Sequence, residues 1–171
     1  MESAFDRCFE YVLQNEDSRA SGAVTNEPNG AIARFGINSA SHPEVAQAGF
    51  YTMGRDAALD YAKNLYKAGY WIPLSLEKLS RWETAAKLLD MAINMGNHAT
   101  SLLWDHAIAA LGNSSPAPRI EMTNSADPAA FMAELVVACE RYYESIHNSA
   151  PTKYSETLLQ SWLSRAKRFP T

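Results

Sequence analysis

Apolar residues return at three- and four-residue intervals along most of this chain, and one stretch breaks the rhythm. Phe5, Phe9, Val12 and Leu13 fall on a single helical face, which predicts an amphipathic helix capped by Ser3 and losing its pattern at the acidic pair Glu16-Asp17. From Ser21 to Asn38 the signals change to "GAV", the turn cluster "NEPNG" and the run "AIARFGI". Ile32, Phe35 and Ile37 there predict a short β-hairpin, with Pro28 and Gly30 suited to its turn. A two-stranded hairpin is marginal alone, so it is expected to lean on the surrounding helices.

Helical spacing resumes near Arg55, with Leu59, Ala62 and Leu65 on one stripe, and Gly69 is expected to stop that helix before Tyr70-Trp71. Ser80 and Glu83 have capping-box spacing ahead of Trp82, Ala86, Leu89 and Ile93. Gly96 is predicted to end this helix and Asn97 to cap the next, whose face is Ala99, Leu102, Leu103, His106 and Ala110. Gly112 to Pro128, "GNSSPAPRIEMTNSADP", has linker composition. Asp127 and Pro128 then open a helix through Phe131, Leu135, Tyr142 and Ile146, followed by a last helix holding Leu158, Trp162, Leu163 and Phe169.

The expected fold class is mainly α, an α+β arrangement in which a helical bundle carries one small β-hairpin after the first helix. Residues 1–112 would form one region, 113–126 a linker and 127–171 a helix pair. That pair is too short to bury a core of its own and is expected to pack on the first region.

Composition narrows the function classes. With 171 residues, 47% of them apolar and 20% charged, the chain is long enough for a self-sufficient core and too apolar for disorder. A net charge of −4 offers no basic field to a polyphosphate, so nucleic acid is not expected as a partner. The one basic cluster, "SRAKRF", reads as the last turn of a helix, where cations suit the dipole.

Cys8 and Cys139 lack metal-ligand spacing and read as buried free thiols, although an oxidising compartment would permit one disulfide. His42, His98, His106 and His147 have no zinc-site spacing, and Asp105 beside His106 cannot face it on a helix. No metal or cofactor is expected. The N-terminal stretch has no apolar signal core and no run reaches membrane-spanning length, so synthesis is expected to end in the cytoplasm, without membrane insertion.

The break in the helical pattern carries the candidate chemistry. Glu16 is expected at a helix C-terminus, the wrong end of the dipole for an anion. A carboxyl group so placed, beside a half-apolar cleft, suits a general acid. Glu27 is the nearest carboxylate on the facing hairpin. Tyr66, Tyr70, Trp71 and Trp82 either pack inward or offer faces for sugar rings, with Tyr70 and Trp71 expected at a cleft wall. Arg34, beside Phe35, either contacts a sugar acetamide or lactyl group or covers the aromatic face.

A helix ending in Glu16, then Glu27 and "GAIARFGI", then "YKAGYW", "LLDMAINMG", "ERYYESI" and "LLQSWLSRAKRF" follow one another in an order that covers nearly the whole chain. In these blocks the sequence resembles the glycoside hydrolase family 108 group of N-acetylmuramidases, lysozyme-like enzymes found in phage endolysins and in muramidases that accompany bacterial protein secretion. The resemblance implies Glu16 and Glu27 as catalytic residues, Arg34, Phe35, Tyr70 and Trp71 as substrate contacts, and a C-terminal peptidoglycan-binding region. It implies a monomeric peptidoglycan hydrolase acting on the cell wall or periplasm after release or non-classical export. Ala31 stands where the family pattern has its second Gly, Ala33 where it has Thr, and Glu27 where it has Asp. These departures keep a second reading in view, a catalytically silent module that binds peptidoglycan or a wall-associated partner.

Overall fold

The structure, a computed structural model, describes residues 3–16, 21–27, 30–112 and 117–170. Helix α1 (Ala4–Glu16) starts at a reciprocal cap: the Asp6 N–H donates to Ser3 Oγ at 3.2 Å, and the Ser3 N–H donates to Asp6 Oδ2 at 3.1 Å. Two helix-end donors are thereby satisfied. Its buried face is Phe5, Cys8, Phe9, Val12 and Leu13, where burial of each large apolar side chain contributes about 1.5–3 kcal/mol. Asp17, the second member of the acidic pair, lies outside the described residues.

Three strands follow instead of the two expected: β1 (Thr25–Asn26), β2 (Ile32–Arg34) and β3 (Ile37–Asn38), antiparallel in the order β1-β2-β3. The third strand exists because Phe35 and Gly36 take φ values of 50° and 79°, closing a two-residue turn that returns the chain along β2. Pro28, expected in the other turn, lies outside the described residues. Helix α2 (Pro43–Gln47) and a tight turn, Phe50–Thr52, lead to α3 (Arg55–Tyr66).

Gly69 does not stop the chain's winding. The helix widens instead into a π turn, Lys67–Trp71, whose register is set by the Ile72 N–H donating to the Lys67 carbonyl at 3.0 Å. Continued winding keeps Trp71 on the inner face, 4% exposed and edge-on to Phe5 with ring centroids 5.3 Å apart.

The chain divides into two compact units, Met1–Pro73 and Leu74–Thr171. The sequence reading put its boundary after residue 112. The long helix α4 (Trp82–Ala110) instead clusters with the C-terminal helices, interrupted at Gly96 by φ 83° and ψ 160°. Its expected Ser80–Glu83 capping box does not form, because the Ser80 N–H and hydroxyl both donate to Asn124 Oδ1, at 2.9 and 3.1 Å.

Asn124 belongs to α5 (Arg119–Ser125), a helix inside the stretch whose composition reads as linker. Tertiary contacts order it: Trp104 Nε1 donates to Thr123 Oγ1 at 2.7 Å, and the Arg119 guanidinium lies 5.0 Å over the Trp104 ring. Such contacts are invisible to local composition.

Helix α6 (Pro128–Ser149) opens at Asp127, whose Oδ1 accepts from the Ala130 N–H at 2.8 Å, and packs along α4. Helix α7 (Glu156–Ala166), capped by Ser155, packs on α6. A buried cation holds its far end. Lys87 of α4, 1% exposed, donates to the carbonyls of Arg165, Ala166 and Arg168 at 3.3, 2.7 and 2.9 Å. Arg165 and Ala166 close the last turn of α7 and Arg168 lies just past it, the helix end where the dipole favours a cation. Burial pushes the Lys87 pKa below its ordinary value, while nearby Asp90 opposes the shift.

Cys8 and Cys139 are buried free thiols, and burial pushes Cys139 up to about 12. Among the described residues no helix is long and apolar enough to cross a membrane.

Candidate active site

Within the first unit, Glu16 ends α1 at the wall of a cleft of about 270 Å³. The opposite side is the small sheet. Register pairs Thr25 with Ala33 and Ala33 with Asn38, and all three of these side chains line the cleft as one row across the strands. Glu27, just beyond β1, also lines it. Its backbone is fixed at both ends, its N–H donating to the Ala31 carbonyl at 2.8 Å and its carbonyl accepting from the Gly30 N–H at 3.0 Å. Two carboxylates eleven positions apart in sequence thus meet at one cleft.

Glu16 is held by close packing. A side-chain carbon added to Gly36 would stand 2.7 Å from Glu16 Cγ and 2.8 Å from the Tyr66 hydroxyl oxygen. Only glycine allows that approach, and its positive φ suits the turn. Phe35 beside it holds a left-handed conformation that costs a non-glycine residue on the order of 1–3 kcal/mol. Two contacts keep it there: the Tyr66 hydroxyl donates to the Phe35 carbonyl at 2.8 Å, and Gly22 lies so close to the end of the Phe35 ring that an added carbon would stand 2.4 Å from Cζ.

Of the four expected substrate contacts, Arg34 and Phe35 line the cleft; Tyr70 and Trp71 do not. Arg34 is 6% exposed and committed to the backbone: Nε donates to Gly22 O at 2.7 Å, and Nη1 to Phe50 O and Met53 O at 3.0 and 2.7 Å. It ties three segments together beneath the sheet, which leaves those donors nothing to give a sugar.

Tyr70 is half-buried, its hydroxyl 3.4 Å from His42 Nε2. His42 Nδ1 lies 3.1 Å from Glu44 Oε1, an acceptor, so Nδ1 carries a hydrogen toward it. Burial, with the Glu44 charge second, pushes the Tyr70 phenol above its ordinary value and keeps it a donor. Trp71 belongs to the core, for the reason the π turn supplies.

Sequence reasoning missed Asn38, Thr25 and Gly36. Only the strand pairing brings the first two beside Ala33, and no local pattern announces it. Among the described residues no group of three or more His, Cys, Asp or Glu side chains converges to hold a metal.

The Glycosyl hydrolase 108 family model matches residues 9–96, just over half of the chain. The chain belongs to the Glycosyl hydrolase 108 family. The matched span of this family member enters within α1, contains Glu16 and the whole sheet, and ends at Gly96, where α4 breaks. Membership makes the chain a glycosidase by family, and the cleft holding Glu16 and Glu27 lies inside that span. No curated protein and no solved structure matches the chain.

Proposed function

We propose that this glycosidase is an N-acetylmuramidase, hydrolysing the β-1,4 bond between N-acetylmuramic acid and N-acetylglucosamine in peptidoglycan, with Glu16 as general acid. The observation that carries the reading is that Glu16 and Glu27 line one cleft, the first from a helix end and the second from the turn just beyond β1. Glycoside cleavage needs that division of labour. Glu16 gives its proton to the leaving oxygen as the carbon–oxygen bond breaks, and the charge developing on the sugar ring faces the Glu27 carboxylate, which stabilises it or orients the attacking water. The enzyme acts as a monomer on the wall or periplasmic side, after release or export.

Zymography on purified peptidoglycan, with mass analysis of the soluble fragments, tests this. Fragments with reducing N-acetylmuramic acid ends are expected. Glu16→Gln should lose about 10²–10⁴-fold in rate while keeping its fold, and Glu27→Gln should lose less. Substantial hydrolysis by folded Glu16→Gln refutes the acid assignment. Peptidoglycan captured without fragments by the wild type favours the silent binding module instead.

A further inference from the structure

Among the described residues Asn38 is the one side-chain amide lining the cleft, and its orientation is fixed. The Ala40 N–H donates to Asn38 Oδ1 at 2.8 Å. A donor at that oxygen decides which end of the amide is which, so Oδ1 faces the turn and Nδ2 is directed away from it. Among the described residues no acceptor meets Nδ2, and the side chain is only half-buried at the cleft. Two hydrogens on a rigidly held amide are therefore presented where a ligand would lie.

The rest of the lining defines what Nδ2 should meet. Glu16 and Glu27 bring acceptor-rich carboxyl groups, Arg34 has its Nε and Nη1 hydrogens bound to carbonyls, and the Thr25 hydroxyl hydrogen is bound to Ala33 O at 3.3 Å. Sugar hydroxyls serve as donors to the carboxylates. Among the described lining residues, a ligand carbonyl oxygen finds a neutral donor in the Asn38 amide, held in place by the Ala40 N–H, beside the exposed Ser21 hydroxyl, whose oxygen accepts from the Ala23 N–H at 3.2 Å.

We propose that Asn38 is a specificity-determining residue that donates from Nδ2 to the carbonyl oxygen of an N-acetyl group on the glycan, and so makes the cleft select N-acetylated over de-N-acetylated sugars. The inference rests on the cleft being a glycan site, as in the proposed muramidase activity. It moves the acetamide contact from Arg34 to a neighbour across the strands. A free amine in place of the acetamide brings a cation against the amide's hydrogens, and the pairing is lost.

The deciding variant is Asn38→Asp, which retains an oxygen for the Ala40 N–H and so preserves the turn, while replacing the donors by an acceptor. Calorimetric affinities for N-acetylglucosamine oligomers and for their fully de-N-acetylated counterparts provide the readout, with thermal unfolding as the fold control. Wild type should prefer the acetylated oligomer by about tenfold, the worth of one well-formed hydrogen bond. Asn38→Asp should unfold at the wild-type temperature and lose or reverse the preference; Asn38→Ala should lose it too.

A preference undiminished in folded Asn38→Asp overturns the proposal, and so does a wild type indifferent to acetylation or unable to bind either oligomer. Peptidoglycan cleavage is scored separately. Binding preference that depends on Asn38 without any cleavage sinks the muramidase reading alone, whereas cleavage without acetyl preference sinks the Asn38 assignment alone.

Discussion

The Tyr66 hydroxyl and the Phe35 carbonyl, 2.8 Å apart, join α3 to the strained turn that faces Glu16. A hydrogen bond thirty-one positions long in sequence thus sets where the candidate acid meets the sheet. Removing it in Tyr66→Phe leaves a buried carbonyl without this donor, at a cost of about 1–3 kcal/mol. Chemical denaturation should report that loss, and peptidoglycan hydrolysis at a temperature where the variant remains folded should fall as the turn relaxes. Unchanged stability would show that the bond is replaced by solvent.

Gly36→Ala asks more of the same junction. The new methyl would overlap Glu16 and Tyr66 at a backbone conformation that disfavours side chains. Loss of activity should exceed what the drop in melting temperature explains, because Glu16 itself must move. Full specific activity in the folded variant would mean that Glu16 is free to shift without consequence.

Trp71 packs on Phe5 in the core. The fluorescence difference between wild type and Trp71→Phe, which isolates one of four tryptophans, should therefore be blue-shifted and unmoved by bound oligosaccharide. Glycan affinity should be the same in both proteins. A ligand-dependent shift in that difference spectrum would return Trp71 to the cleft wall.

In the second unit, Asp90 and Arg165 form a largely buried pair at 2.9 Å, with side chains 3% and 17% exposed. Asp90→Asn removes the carboxylate charge that faces the guanidinium at 2.9 Å and should destabilise by about 3–5 kcal/mol. The double variant Asp90→Leu with Arg165→Met should recover much of that loss in urea titrations. A larger loss in the double variant would show that the charges themselves, rather than the volume they fill, hold α7 in place.

Acid stability should carry the mark of Asp6. Hydrogen bonding to the Lys63 ammonium, then to Ser3, lowers its pKa from 3.8 to about 2. A depressed carboxylate contributes stability in full above its unfolded value and loses it as pH falls through the folded value. Between pH 4 and 2 the wild-type melting temperature should fall more steeply than that of Asp6→Asn. Parallel curves would assign the acid sensitivity elsewhere.

Periodicity alone located α1 and its Ser3 cap, the Gly96 break, and the Asp127–Pro128 start of α6, because caps, breaks and amphipathic faces are encoded within a few residues of one another. Glu16 at a helix end was legible for the same reason. Tertiary structure decided the rest. It ordered α5 through Trp104 and Arg119, and it took Ser80 from its expected cap to Asn124. It gave Arg34 three backbone carbonyls to hold, wound the chain past Gly69 so that Trp71 faced Phe5, and paired the strands so that Asn38 stands beside Ala33. Each of these outcomes depends on partners far away in sequence, and a donor or an aromatic face goes to whichever partner the completed packing brings within reach.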